Sequence, residues 1–297
     1  MSISIRSFAA KVRVSDGAWG TQLQQRGLPS GSPPEVWNTQ SPAVVEAVAR
    51  SYVDAGSDVI LTNSFGANRF VLGGVGAEDR VAELAEAAAR ISQRAAGAST
   101  RPEGTKVFAS VGPTGQVVMM EQVSKDRLIF AFRETAEALC WGGADALVLE
   151  TFNELDEALI ALEAAKAACD VPVLVSMTFS SGPDKTSTMM GNKPADVARA
   201  LARAGAAGVG ANCGVGPENY VKVVKMLRAA TDLPVWVKPN AGLPVVERSG
   251  KTTFPMGPDE FAGYVRQLVE AGANFVGGCC GTTPAHIAAV RKAVDEL

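Results

Sequence analysis

Four related phrases punctuate the sequence: DAGSDV (54–59), WGGADAL (141–147), RAGAAGV (203–209) and EAGANFV (270–276). Each places a glycine just past a helical stretch and just before an apolar run, where a helix closing on a left-handed residue needs one. A chain that keeps alternating strand, helix and glycine stop is restricted to parallel strands joined by right-handed crossovers.

Strands are expected at Val12–Ser15, Asp58–Thr62, Lys106–Ser110, Ala146–Glu150, Val173–Thr178, Gly208–Cys213, Val235–Lys238 and Asn274–Gly278. Helical spacing covers Ser41–Ala55, Glu78–Ala96, Lys125–Trp141, Glu154–Ala168, Pro194–Ala204, Pro217–Ala230, Pro258–Ala271 and Pro284–Leu297. Ser41-Pro42 suits an N-cap and first turn. Eight such units fit either a doubly wound sheet or a closed barrel. The chemically capable residues separate the two. Asp16, Asn63, Glu150, Thr178, Cys213, Asn240 and the pair Cys279/Cys280 all fall at or just beyond C-terminal strand ends. In an open sheet the first and last strands hold such residues far apart, whereas a barrel gathers them at one mouth. The expected fold is therefore a single (β/α)8 TIM barrel over 1–297 with its site at the C-terminal strand ends. The polar loop Ala98–Thr105 is too short to divide it into domains.

Hydrophobic residues make up 47% of the chain and the net charge is −3 with no dense Lys/Arg stripe, which argues against nucleic acid or an anionic membrane as partner. No run has the length of a signal-peptide core or a membrane span, so a cytoplasmic location is expected. The lone histidine, His286, removes histidine triads and multi-histidine metal centres. It follows Thr-Thr-Pro at a helix start, where a surface or capping role is expected.

Five cysteines are too few for a disulfide scaffold. Cys140 and Cys169 lie in helical stretches, where a plain core or surface role is expected. Cys213 in GANCGVG and Cys279/Cys280 in FVGGCCGTTP are different, because glycines surround each. Neighbouring strand residues face opposite ways, so Cys279 and Cys280 reach one ion only if the backbone leaves strand geometry, which Gly277, Gly278 and Gly281 allow. Three soft thiolates suit Zn2+ with bonds of about 2.3 Å and leave a fourth tetrahedral position open, as in catalytic sites. A free thiol ionises near about 8.5, so zinc coordination is an effective route to thiolate at neutral pH. Hydrolytic zinc sites use harder ligands and a general base. Alkyl transfer to a thiol is the better match.

The segments DGAWGTQLQQRG, LTNSFGANR, ASVGPTG, LVLETFNELDEA, GANCGVGPE, VKPNAG and VGGCCGTTPAHI together resemble the homocysteine S-methyltransferase family, from about Val14 to Ile287. That family includes the homocysteine-binding module of cobalamin-dependent methionine synthase, the betaine enzymes and the S-methylmethionine enzymes. The resemblance implies that Cys213, Cys279 and Cys280 bind zinc and that homocysteine sulfur takes the fourth position. It also implies that Asp16 and Glu150 hold the substrate ammonium, and that the Gly17 and Ala18 amides meet its carboxylate. Thr62, Asn63 and Ser64 are expected to line the pocket. Asn212 is expected to orient Cys213 through a hydrogen bond. Lys238 fits a buried partner of a rim carboxylate, and the role of Asn240 stays open.

Motif by motif the match is closest to the methionine synthase module, so a methyl-corrinoid (methylcobalamin) donor on a separate corrinoid protein is expected first. An S-methylmethionine or betaine-type onium donor comes second. It would call for an aromatic cage, and Trp19, Trp37, Phe65, Phe152 and Phe179 lie near strand ends, but no tyrosine-rich pocket is evident. Outside this chemistry stand a barrel lyase or isomerase binding phosphate at the GCCGTTP helix start, and a zinc-storage protein without turnover.

Overall fold

Eight parallel strands alternate with helices: β1 (Arg13–Val14), β2 (Val59–Ile60), β3 (Lys106–Val111), β4 (Ala146–Phe152), β5 (Val173–Met177), β6 (Gly208–Asn212), β7 (Val235–Lys238) and β8 (Phe275–Val276). This computed structural model describes residues 3–121, 123–246 and 252–297. The hydrogen-bonded order is β1-β8-β7-β6-β5-β4-β3-β2. A parallel bridge between Ser15 and Val59, with Asp58 N–H on Val14 O at 2.7 Å, joins the two ends of that order. The sheet therefore closes into a (β/α)8 barrel, and the doubly wound alternative falls.

The main helices are α1 (Pro42–Asp54), α2 (Val81–Gly97), α3 (Lys125–Trp141), α4 (Leu155–Ala168), α5 (Pro194–Arg203), α6 (Pro217–Ala230), a broken α7 (Pro258–Ala262, then Val265–Glu270) and α8 (Pro284–Asp295). The single helix expected over Pro258–Ala271 is interrupted at Gly263, a poor helix former. Ser41 precedes α1, but its side chain makes no cap bond. Among the described residues, no helix is long and apolar enough to cross a membrane.

The repeated phrase has a physical explanation. Gly56, Gly143, Gly205 and Gly272 all have φ between +81° and +111°. The residue after each donates its N–H back into the preceding helix, as Ser57 does to Tyr52 O and Ala144 to Leu139 O. In three of the four phrases the polar residue before the strand then accepts a neighbouring strand's N–H. Asp58 takes Val14 N–H, Asp145 takes Val107 N–H and Asn274 takes Val235 N–H, at 2.8–2.9 Å.

The barrel interior is layered. Phe108, Trp236 and Phe275 fill the lower half, with Val59, Val148 and Leu174, and a short N-terminal helix (Ile5–Phe8) plugs the floor from below. Ring centroids there are 5.3–6.1 Å apart, spacing typical of well-packed aromatics. Above them, at the C-terminal end, the buried side chains turn polar: Ser110, Glu150, Ser176, Asn212 and Lys238.

Candidate active site

β8 ends at Val276, and the chain then leaves the ladder. Gly278 N–H donates to Asp16 O (3.0 Å) and Cys279 N–H to Pro239 O (2.7 Å). A β-carbon on Gly277 would collide with Ser15 Oγ and the Asp16 carbonyl, so glycine is what lets the two strands approach. A turn follows, closed by Thr282 N–H on Cys279 O (3.1 Å). It releases Cys279 and Cys280 from strand alternation. Cys213, one residue past β6, lies in the left-handed region at φ +63°. Fully buried Tyr220 on α6 holds that turn, its single hydroxyl hydrogen shared between Asn212 O (2.8 Å) and Cys213 O (2.6 Å).

The result is a cluster of three free thiols whose sulfurs all lie within 4.8 Å of one another, with Cys213 and Cys280 3.9 Å apart. Tetrahedral bonds of about 2.3 Å would set two ligand sulfurs roughly 3.8 Å apart. The donor set thus fits a soft or borderline cation. Asn240 Oδ1, on the loop after β7, is buried without a hydrogen-bond partner, an oxygen donor of the kind an open coordination position accepts. Without a cation among them, the crowded thiols keep their protons. Cys213 is pushed up to about 12, its contact with Cys279 lowering it but the contact with Cys280 and burial raising it more. Contact with Cys213 and burial push Cys279 up; Cys280 is lowered by Cys213 but raised more by Cys279. A cation reverses this balance by displacing the protons.

Asp16 is fully buried and well satisfied. Its Oδ2 accepts Trp19 Nε1–H and Leu61 N–H, each at 2.7 Å, and its Oδ1 is ion-paired with Lys238 Nζ, itself buried. Lys238 is thus the carboxylate partner foreseen for it. Glu150 Oε1 accepts Ser110 Oγ–H at 2.5 Å. Burial raises the Glu150 carboxyl above its ordinary value, against the opposing pull of Lys238 and of the Ser110 hydrogen bond. Ser64 spends its hydroxyl hydrogen on Ser110 O (2.7 Å), so Thr62 is the donor in the 2.5 Å Thr62–Ser64 contact. Thr62 Oγ1 in turn accepts Ser110 N–H at 3.0 Å. Thr62 and Ser64 therefore brace Ser110, which holds Glu150.

Other expected residues reach the same rim with different partners. Asn63 gives both amide hydrogens to Pro34 O and Asn38 Oδ1 (2.8 Å each), tying down the β1–α1 loop. Ala18 N–H donates to Thr282 Oγ1 (3.1 Å), so this amide already has a partner, and Gly17 packs against Thr282 and Tyr52. Asn212 does not bond Cys213 through its side chain. Its amide turns to β4 and β5, contacting Thr151 and Ser176. His286 is buried rather than on the surface. Met256 O can only accept, so Nε2 carries the proton, and Nδ1 accepts Thr283 N–H in a capping box that closes the first turn of α8. Cys140 and Cys169, expected in a plain core or surface role, form a disulfide between α3 and the end of α4; the fold brings these helix ends together in a way their sequence spacing does not reveal.

Four contributors escaped the sequence reading: Ser110, Thr151, Tyr220 and Thr282. Ser110 sits at a strand end, and the rule that selected Glu150 would have selected it. Thr282 lies inside GCCGTTP. For Tyr220, on a helix, no local signal exists.

An α/β barrel with three converging thiols and a buried carboxylate network at its mouth defines the class. Homology then narrows it. The family description homocysteine S-methyltransferase matches residues 13–294, and the chain belongs to that family, a family of methyltransferases. It is 34% identical to methionine synthase of Mycobacterium leprae over 98% of its own length. It spans about a quarter of that relative, with 25% covered. Among solved structures it resembles the homocysteine methyltransferase MmuM from Escherichia coli. The oxidized form superposes with TM-score 0.81 at 26% identity, covering 98% of this chain and 99% of the other. The metallated form gives TM-score 0.80 at the same identity and coverage.

Proposed function

We propose that this protein transfers a methyl group to the thiol of homocysteine, giving methionine, with Cys213, Cys279 and Cys280 holding Zn2+. The observation that carries the reading is the three-sulfur cluster at the mouth of this family's barrel, beside buried Glu150. Bound there, Zn2+ would keep a substrate thiol deprotonated near neutral pH and so available as nucleophile.

The chain's own residues supply selection and placement. Glu150 receives the substrate ammonium, and Asp16, held by Lys238, adds negative charge beside it. With the ammonium bound, two carboxylates face two cations and the buried charges balance, which a low-dielectric site requires. Ser110 fixes the Glu150 oxygen through its hydroxyl. The reaction forms a sulfur–carbon bond and breaks the donor's bond to methyl. The electron pair stays on the donor, and the thiol proton passes to solvent.

A methyl-corrinoid is the preferred donor. The metallated state of a homocysteine methyltransferase relative supports a metal in this site, and the motif likeness to methionine synthases supports the donor. Two of the five aromatic candidates also weigh against an onium cage. Phe152 and Phe179 are fully buried in the layer between sheet and helices. The hydroxyls of Tyr52 and Tyr220 are spent on main-chain carbonyls. The test is metal analysis of the wild type and Cys213→Ser, then assay of homocysteine with methylcobalamin, S-methylmethionine and betaine in turn. Absence of zinc, or zinc fully retained in the variant, sinks the metal assignment. Turnover with betaine or S-methylmethionine and none with methylcobalamin overturns the donor.

A further inference from the structure

A register break in β4 occurs beside the carboxylate proposed to bind the ammonium. Leu147, Leu149 and Phe152 all belong to the outer core, while Val148 faces the interior. Strict alternation would send Thr151 outward and Phe152 inward. Instead the pairing with β5 shifts between Leu149 and Phe152, and Thr151 adopts φ +66°. That bulge lets Glu150 and Thr151 share the rim before Phe152 rejoins the core, a typical way to aim a side chain beside a site. A β-branched residue in the left-handed region is strained and persists only where its surroundings hold it.

Asn212 is what holds it. Its Oδ1 accepts Thr151 N–H (3.0 Å) and Ser176 Oγ–H (2.7 Å), and its Nδ2 donates to Thr151 Oγ1 (2.6 Å). Asn212 is fully buried, so these bonds have no competition from water. Its main-chain carbonyl accepts from Thr178 Oγ1 and Tyr220 Oη, and the next residue is Cys213, the second left-handed non-glycine at the rim.

We propose that Asn212 is a positioning residue for amino-acid recognition: by clamping Thr151 in its left-handed turn it aims Glu150 at the substrate ammonium, and it ties that aim to the strand carrying Cys213. The inference rests on the homocysteine reading above. It separates two functions of one segment, with the backbone of 212–213 serving the thiol cluster and the Asn212 side chain serving the ammonium.

The test compares binding of homocysteine with that of 4-mercaptobutyrate, which lacks only the amino group, by calorimetry on zinc-loaded protein. Zinc content is read in parallel. In Asn212→Ala the preference for homocysteine should fall roughly tenfold, the scale of one released strained residue. Zinc content and 4-mercaptobutyrate affinity should hold. Glycine adopts the left-handed turn without a clamp, so Asn212→Ala/Thr151→Gly should recover most of the lost preference. An unchanged preference in Asn212→Ala, equal weakening for both thiols, or no recovery in the double variant overturns the proposal. Should Asn212→Ala not fold, the double variant decides: wild-type preference supports the proposal, and lost preference or failure to fold overturns it. A wild type that binds both thiols equally refutes the homocysteine reading itself.

Discussion

At the floor of the barrel, the acidic and amide side chains that open the strands are used up by the fold; at the mouth, several polar groups are left crowded, strained or unpartnered. Asp58 shows the first pattern. It accepts Val14 N–H at 2.8 Å, Arg291 at 3.0 Å and Arg101 at 2.8 Å, so its charge is neutralised within the chain. Asp145 and Asn274 likewise close strand starts, at the base of the layer of packed aromatic rings. The mouth contains the opposite arrangement: three crowded thiols, a buried Glu150 with a raised pKa, an unpartnered Asn240 oxygen, and Thr151 and Cys213 in the left-handed region. One sheet thus stores its stability at one end and its chemistry at the other, as barrel enzymes do.

If that division is real, substitutions at the two ends must separate stability from ligand binding. The largest effect is expected for Cys213→Ser, which should strip zinc from about one ion per chain to near none, well beyond the roughly 10–100-fold loss typical of outer partners. Its far-UV spectrum should match the wild type. Elemental analysis and circular dichroism check both, and loss of the fold would break the comparison. Glu150→Gln comes next. Removing one partner of a desolvated charge pair costs about 2–5 kcal/mol, so the KM for homocysteine should rise by roughly 30-fold or more while zinc content holds.

At the floor the pattern should invert. Asp58→Ala should cost about 2–3 kcal/mol in denaturant unfolding, less than a fully buried pair because Arg101 is partly exposed. Its KM for homocysteine should stay within about twofold, since distant sites couple weakly. A changed KM would show that the floor reaches the chemistry.

The smallest effect is a pH dependence. Burial raises the Glu150 pKa above 4.5, so at low pH the empty site holds a neutral carboxyl that binds an ammonium poorly. Homocysteine preference over 4-mercaptobutyrate should therefore strengthen as pH rises through the raised range, then level off. Thiol and metal titrations affect both ligands and drop out of the ratio. A flat ratio in the wild type, or a slope surviving in Glu150→Gln, contradicts the assignment.

Much of this was legible in the residues. The bounds of β7, α3 and α6 agree with the expected spans, and the thiol cluster is the one expected from the glycine-set cysteines. The misses share a cause. Asn212 was assigned to its sequence neighbour Cys213, but its amide crosses to Thr151 on β4. The Ala18 N–H meets Thr282, far along the chain, a contact no local motif announces. Cys140 and Cys169 looked solitary because each is local to a different helix.

By itself, then, the sequence determined the alternation of strands and helices, the helix stops and the identity of the three thiols that cluster. Those follow from side-chain periodicity and from the freedom of glycine at positive φ, all written in short stretches of residues. Only the tertiary structure decided which polar groups meet: Lys238 with Asp16, Ser110 with Glu150, Asn212 with Thr151. Such pairs depend on strand register and on closure of the sheet, where a single bulged residue moves a side chain to the other face. No local pattern encodes that.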